Sequence, residues 1–136
     1  LGDKEMILSH EKQVCALIYS KRLKELGVEQ KSLWWWVTYD DGKEITHRLE
    51  KEPTNITDTD CCAYTVAELG WMLPHYVFTK ANGLTEGLWE GWMYQKGFFN
   101  PSPFEVDTLA KTEANARAKM KIYLLENNIG ITNGKT

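Results

Sequence analysis

The side chains best equipped for chemistry gather in the middle of the chain: Asp58, Asp60, Cys61 and Cys62, with His47 before them and His75 after. Carboxylate, thiolate and imidazole groups ligate transition metals, and a cysteine beside a histidine makes a nucleophile pair. The spacing speaks against both uses. Structural zinc is held by two pairs of ligands, each pair a few residues apart, whereas adjacent cysteines in an extended chain point in opposite directions. The expectation is that Cys61 or Cys62 fills the core, that the aspartates stay in water, and that no metal or other cofactor is involved. His47 is expected on an apolar strand face beside Trp35, and neither histidine has a Ser or Asp at a spacing that implies a triad. If a ligand pocket exists here, Asp58, Asp60, Cys61, Cys62 and His75 are its polar residues. Glu68 is absorbed by helix capping, and no glycine-rich phosphate loop, paired-histidine helix or calcium loop occurs.

The second concentration is aromatic. Of 6 Trp, 6 Tyr and 4 Phe, all but Tyr19 and Tyr123 fall between Trp34 and Phe104. Trp35, Trp71 and Trp92 read as core. Trp34 and Trp36 alternate with Trp35, so they stand on the other face of their strand, with Arg48 and Thr46 expected opposite them. Two rings of roughly 150–250 Å² each, next to an arginine able to stack on them, have the composition of an interface centre. A patch of that kind seldom stays bare on a monomer.

The elements that position these groups follow from periodicity. Cys15, Ile18, Tyr19, Leu23 and Leu26 recur at helical steps, which predicts a helix from Ser9 to Leu26, ended by Gly27 in a left-handed cap with Val28 beyond it. Leu33–Tyr39 and Lys43–Leu49 form a hairpin. A three-residue loop with Gly42 in a bulge would pair Val37 with Ile45, Trp35 with His47 and Leu33 with Leu49, keeping one face apolar. Thr54–Cys62 has neither period and reads as a loop. Thr65 and Glu68 then make a capping box that opens a short helix to about Met72, stopped by Pro74. Tyr76–Thr79 and Leu88–Gln95 give a second hairpin about Asn82-Gly83, where Gly87, Gly91 and Gly97 suggest bulges or close backbone approach. After an Asn100–Pro103 connector, a helix capped at Thr112 runs to about Asn127, with Ala114, Ala118, Ile122 and Leu125 as its stripe and Glu113 paired to Arg117. The order α-β-β-α-β-β-α predicts an α+β fold with one mostly antiparallel four-stranded sheet and helices on one face. Residues 1–128 are expected as a single domain and 129–136 as a flexible tail.

Three segments resemble a group of small phage-encoded or mobile-element-encoded proteins of gut bacteria: Arg22–Val28, Ala63–Pro74 (AYTVAELGWMLP) and Glu113–Asn127 (EANARAKMKIYLLEN). Each matched segment is a helix end, a capping box or a packing stripe. The resemblance implies a phage or mobile-element accessory protein and assigns no activity. This chain departs from that pattern at Trp71 and Asn115, where acidic residues are expected, which weighs against a catalytic carboxylate at either place.

Composition narrows the function classes. With 136 residues, 43% of them hydrophobic and 26% charged, the chain is too apolar for disorder and long enough to bury a core without staples. Residues 1–68 carry 9 basic and 13 acidic side chains and residues 69–136 carry 7 and 6, so neither half is a basic surface for nucleic acid. No apolar run reaches the ~18 residues of a membrane span, the first residues are not a targeting sequence, and three cysteines fit a reducing compartment, so a cytoplasmic protein is expected. The expected function is non-enzymatic: protein–protein interaction through Trp34, Trp36 and Arg48, with a second copy or with a host or phage protein. The alternative is a small-ligand-binding or enzymatic domain with a tryptophan-lined pocket bordered by residues 54–62.

Overall fold

The computed structural model of this protein describes residues 10–83, 85–95, 98–101 and 109–129, and these form an α+β fold. The elements are α1 (Leu17–Glu25), β1 (Trp34–Asp40), β2 (Ile45–Lys51), β3 (Cys61–Cys62), α2 (Val66–Met72), β4 (Val77–Ala81), β5 (Trp89–Gln95), β6 (Phe98–Pro101) and α3 (Glu113–Glu126). The strands build two three-stranded antiparallel sheets, β2-β1-β3 and β4-β5-β6, in place of the single four-stranded sheet expected. Each hairpin recruits its own third strand: Cys61–Cys62 from the supposed loop, and Phe98–Pro101, which runs into the supposed Asn100–Pro103 connector. Ser9, Gly97, Ser102, Pro103 and the tail from residue 130 lie outside the described residues.

The helix expected from Ser9 is interrupted: residues 10–12 are helical, but the helix resumes only at Leu17, because the backbone between them is used elsewhere. Gln13 O accepts from Val66 N (3.0 Å), and Cys15 N donates to Tyr64 O (2.9 Å). These bonds hold Val14 and Cys15 extended against the entry to α2. The Ala16 N–H goes to Asn115 Oδ1 at 2.7 Å, a side-chain cap supplied from α3. At the far end, Gly27 has φ +90°. There Val28 N bonds Leu23 O and Gly27 N bonds Lys24 O, both at 3.0 Å, which is the expected Schellman closure.

The first hairpin adopts a register that neither simple turn predicts. Asp40 pairs with Ile45, Val37 with Arg48, Trp36 with Leu49 and Trp35 with Glu50. Four residues make the loop, and aspartates build it: Gly42 N bonds Asp40 Oδ1 (2.9 Å), while Lys43 N and Glu44 N both bond Asp41 Oδ1 (2.8 and 2.9 Å). Two Asx-type bonds thus outweigh the apolar cross-strand pairing that favoured the bulge. The outer strand β2 tolerates this because its residues are exposed or half-buried.

Helix α3 explains the two sheets. Ala114 and Ala118 belong to a core with Leu23, Trp35, Val37, Cys62, Tyr64 and Leu69, while Met120 and Leu124 belong to another with Val77 and Met93. Small residues admit the first core closely; large ones reach into the second. Gly91 lets β5 approach α3, since a Cβ there would stand 2.3 Å from Met120 Sδ. Both predicted caps are present, with Thr65 Oγ1 accepting from Glu68 N at 3.2 Å and Thr112 Oγ1 accepting from Asn115 N at 3.2 Å. The Glu113–Arg117 pair forms at 3.0 Å, although it is part-buried where an exposed pair was expected. Arg117 also donates to Val66 O (2.6 Å) and Thr79 Oγ1 (3.1 Å), tying α2 and β4 to α3. Ile129, placed in the tail by sequence, packs on the second core, and its N–H bonds Leu124 O at 2.9 Å.

Candidate functional site

The central segment folds around Asp60, which is 1% exposed and not solvated as expected. Its Oδ1 accepts from Thr38 N at 2.9 Å, and its Oδ2 accepts from Thr57 N at 2.8 Å and Thr57 Oγ1 at 3.3 Å. The carboxylate therefore clamps the loop to β1 where β3 stops, and its acceptor positions are taken. Lys24 Nζ fastens the same loop to α1 through Asp58 O (2.6 Å) and Asp60 O (2.8 Å).

A cleft of about 740 Å³ opens beside this clamp, lined by Lys21, Lys24, Thr38, His47, Asp58 and Cys61 among others. Of the five polar pocket residues predicted, it contains Asp58 and Cys61. Cys62 turns into the core, Asp60 is the clamp, and His75 lies elsewhere as an exposed residue edge-on to Tyr76. Adjacent cysteines did diverge: Cys61 pairs with Trp36 and Cys62 with Trp35. His47 pairs across from Thr38, on the strand face opposite to Trp35, and not on the apolar face. The Thr38 hydroxyl donates to Thr59 O (3.2 Å), leaving His47 Nδ1 at 3.2 Å to donate to Thr38 Oγ1. Burial pushes the Cys61 thiol up against the opposing pull of Lys24 and Lys21, and burial pushes Cys62 up to about 12. Both remain protonated near neutrality, where a thiol is a poor nucleophile and a poor ligand. Among the described residues no three His, Cys, Asp or Glu side chains come together as a metal-binding group.

The face of Trp34 and Trp36 is partly roofed by the chain itself. Trp36 Nε1 donates to Cys15 O at 2.9 Å, and the Trp34 ring lies 5.3 Å from that of His10. Both tryptophans are half-buried. Arg48 lines a cleft of about 330 Å³ together with both tryptophans, but the register sets it against Val37 and its guanidinium turns away, 4.8 Å over Tyr39. The Tyr39 hydroxyl donates to Glu50.

Two exposed side chains were read as core. Trp71 is 89% exposed, because it lies about 200° around α2 from the buried Leu69. Ile18 is 70% exposed, since the buried side of α1 is centred on Ser20 and Leu23. Ile18 opens a groove of about 870 Å³ between α1 and α3, floored with Tyr19, Ile122 and Tyr123 and rimmed by Lys21, Arg22, Glu25, Lys119 and Glu126. Arg22 Nε and Nη2 both reach Glu126 Oε2, at 3.1 and 2.8 Å, across one end. Lys119 donates to Leu109 O at 2.6 Å and lies 5.8 Å above the Tyr19 ring. The signal missed in the sequence was the polar Ser20: taken as buried, it rotates the stripe of α1 and turns Ile18 outward.

No protein-family model, curated protein or solved structure matches this chain.

Proposed function

We propose that this protein is a non-enzymatic interaction protein, an accessory factor of a phage or mobile element that works in the cytoplasm, and that it docks through the α1–α3 groove. The observation that carries the proposal is the groove itself, an aliphatic and aromatic floor with Ile18 70% exposed at its edge and a charged rim held in place by internal bonds. An apolar centre inside a polar rim is the anatomy of a protein interface. The chemically competent groups of the central segment, by contrast, serve the fold: Asp60 clamps a loop, Glu68 caps α2, and the thiols stay protonated. Among the described residues no helix is long and apolar enough to cross a membrane.

The occupant proposed is a second copy of the chain. The rim carries both signs: Lys21 and Lys119 are cationic, while Arg22 pairs with Glu126 at 2.8 Å and stands 3.9 Å from Glu25. A two-fold pairing can then set cation against anion, whereas a rim of one sign would call for a partner of the other. Trp34 and Trp36, half-covered by residues 10–15, are secondary in this proposal, and Arg48 contributes from a different face.

Light scattering near and well above micromolar protein tests this directly. The wild type is expected to reach dimer mass, and Ile18→Lys to stay monomeric with the Tm that the wild type shows at concentrations too low to dimerise, because substituting so exposed a residue moves intrinsic stability by only ~0.5 kcal/mol. A central apolar anchor lost from an interface costs ~2 kcal/mol or more of association. If Ile18→Lys combined with Tyr123→Ala leaves the mass unchanged from wild type, the groove is not the docking surface.

A further inference from the structure

Lys121 is the one lysine side chain that the described fold takes inside. It is 3% exposed on α3, between Met120 and Ile122, and its ammonium nitrogen has a single hydrogen-bond acceptor, Met72 O at 3.2 Å. The ion pairs among the described residues join Arg22 to Glu25 and Glu126, and Arg117 to Glu113; none involves Lys121. A cavity of about 230 Å³ lies against it, walled by Val28, Trp71 and Met72, with Glu29, Lys31 and Glu68 as its charged members. This is below the ~300 Å³ where sites for drug-sized ligands begin, so any occupant is small.

A lysine taken out of water with one backbone acceptor and no ion pair has its charged form disfavoured. Desolvation by burial pushes its pKa down from the ordinary lysine value. Glu68 lines the cavity, yet its Oε1 is engaged by Thr65 N and Ser32 Oγ, both at 2.9 Å. A desolvated lysine of this kind is a nucleophile toward carbonyl carbon. Two glutamates stand against Lys31 and Lys121 around the cavity, so its lining has no excess of either sign and suits an uncharged ligand.

We propose that the cavity between α2 and α3 is a carbonyl-capturing site, in which the Lys121 amine adds to a small uncharged aldehyde and holds it as an imine against Trp71. The lone pair of Nζ forms a bond to the carbonyl carbon while the C=O π pair moves to oxygen, giving a carbinolamine after one proton passes from nitrogen to oxygen. The hydroxyl then leaves as water with the second amine proton, and a C=N bond remains. No oxidant or reductant is consumed. Trp71 and Met72 supply the apolar wall for the aldehyde's body, which also gives the exposed indole a use the fold itself does not require.

Reductive trapping tests the assignment on the full chain. Native protein is incubated at pH 7 with benzaldehyde and cyanoborohydride, which reduces the imine to a stable secondary amine, and every lysine is then mapped by peptide mass. Expected is labelling of Lys121 several-fold above the mean of the other lysines, since a lowered pKa raises the free-amine fraction near neutrality and the cavity holds the aldehyde beside it. The preference should disappear in urea, and Lys121→Arg should remove that adduct while sparing the rest. Even labelling of all lysines, an unlabelled Lys121, or a preference that survives unfolding would each overturn the proposal. Because the wild type carries the decisive measurement, a variant that folds poorly does not blunt the test.

Discussion

Removing the Asp60 carboxylate is expected to be among the most damaging single changes in the first sheet. Three bonds converge on it, from Thr38 N at 2.9 Å, Thr57 N at 2.8 Å and Thr57 Oγ1 at 3.3 Å. Hydrogen bonds to a charged group contribute about 1.5–3 kcal/mol each, and the longest here should count least. Asp60→Ala deletes all three and leaves two backbone donors facing a small void, so a loss of about 3–5 kcal/mol is expected, a large share of the 5–15 kcal/mol typical of a domain. Asp60→Asn keeps one acceptor oxygen for Thr38 N but turns an NH₂ toward Thr57 N, and should lose roughly half as much. Urea unfolding separates the cases: at a slope near 2 kcal/mol per M, Asp60→Ala lowers the midpoint by about 2 M and Asp60→Asn by about 1 M. The clamp would be refuted if Asp60→Ala stays within about 1 kcal/mol of wild type, or if Asn is as harmful as Ala. The latter result would mean that the charge, and not the geometry of acceptance, holds the loop.

Three further outcomes rest on buried side chains. Gly91→Ala places a methyl 2.3 Å from Met120 Sδ, and Met120 is fully buried, so overpacking should cost about 1–3 kcal/mol. Adding Met120→Ala should recover part of that loss, and a double-mutant cycle showing no coupling would remove the close approach as its cause. Burial pushes the Cys15 thiol up to about 11 and that of Cys62 up to about 12. The unfolded chain therefore loses these protons first as pH passes ~8.5, and stability should fall from there by about 1.4 kcal/mol per pH unit for each thiol until the native thiols ionise. Urea midpoints from pH 8 to 10 should thus decline less steeply for Cys15→Ala than for wild type, and equal slopes would count against the linkage. Burial pushes Lys121 the other way, so its contribution to stability rises with pH toward the ordinary lysine value, and Lys121→Met should flatten that part of the profile.

What could be read from sequence was local. The capping box at Thr65 and Glu68, the Gly27 closure and the Thr112 cap each depend on residues within five positions of one another, and each is present. Errors arose wherever a distant partner decided the outcome. The N-terminal helix is broken by the Thr65 end of α2, fifty residues away, which takes the backbone of Val14. Register in the first hairpin was argued from apolar matching, a tertiary criterion, when Asp40 and Asp41 were deciding it through their own turn bonds. That slip carried Arg48 and His47 to the wrong faces and so misassembled the expected interaction patch. Asp60 gave no warning, since an aspartate in a polar segment looks solvated until the strand end it serves is known.

Helix α3 shows why a single sheet was the wrong economy. A lone amphipathic stripe, Ala114-Ala118-Ile122-Leu125, would need one sheet to cover it. The helix is buried on more than that stripe, with Ala116, Met120, Lys121 and Leu124 also inside. A helix enclosed on two sides requires separate layers, and neither hairpin alone has the strands to make one: β3 completes the first and β6 the second. Lys121 is a different matter. Seven residues after Ala114 and four before Leu125, it stands on the face of the expected stripe, where α2 covers it and Met72 O is its one acceptor. Packing alone would select an apolar side chain at such a position, and a lysine retained there is where a chemical use for the amine is sought.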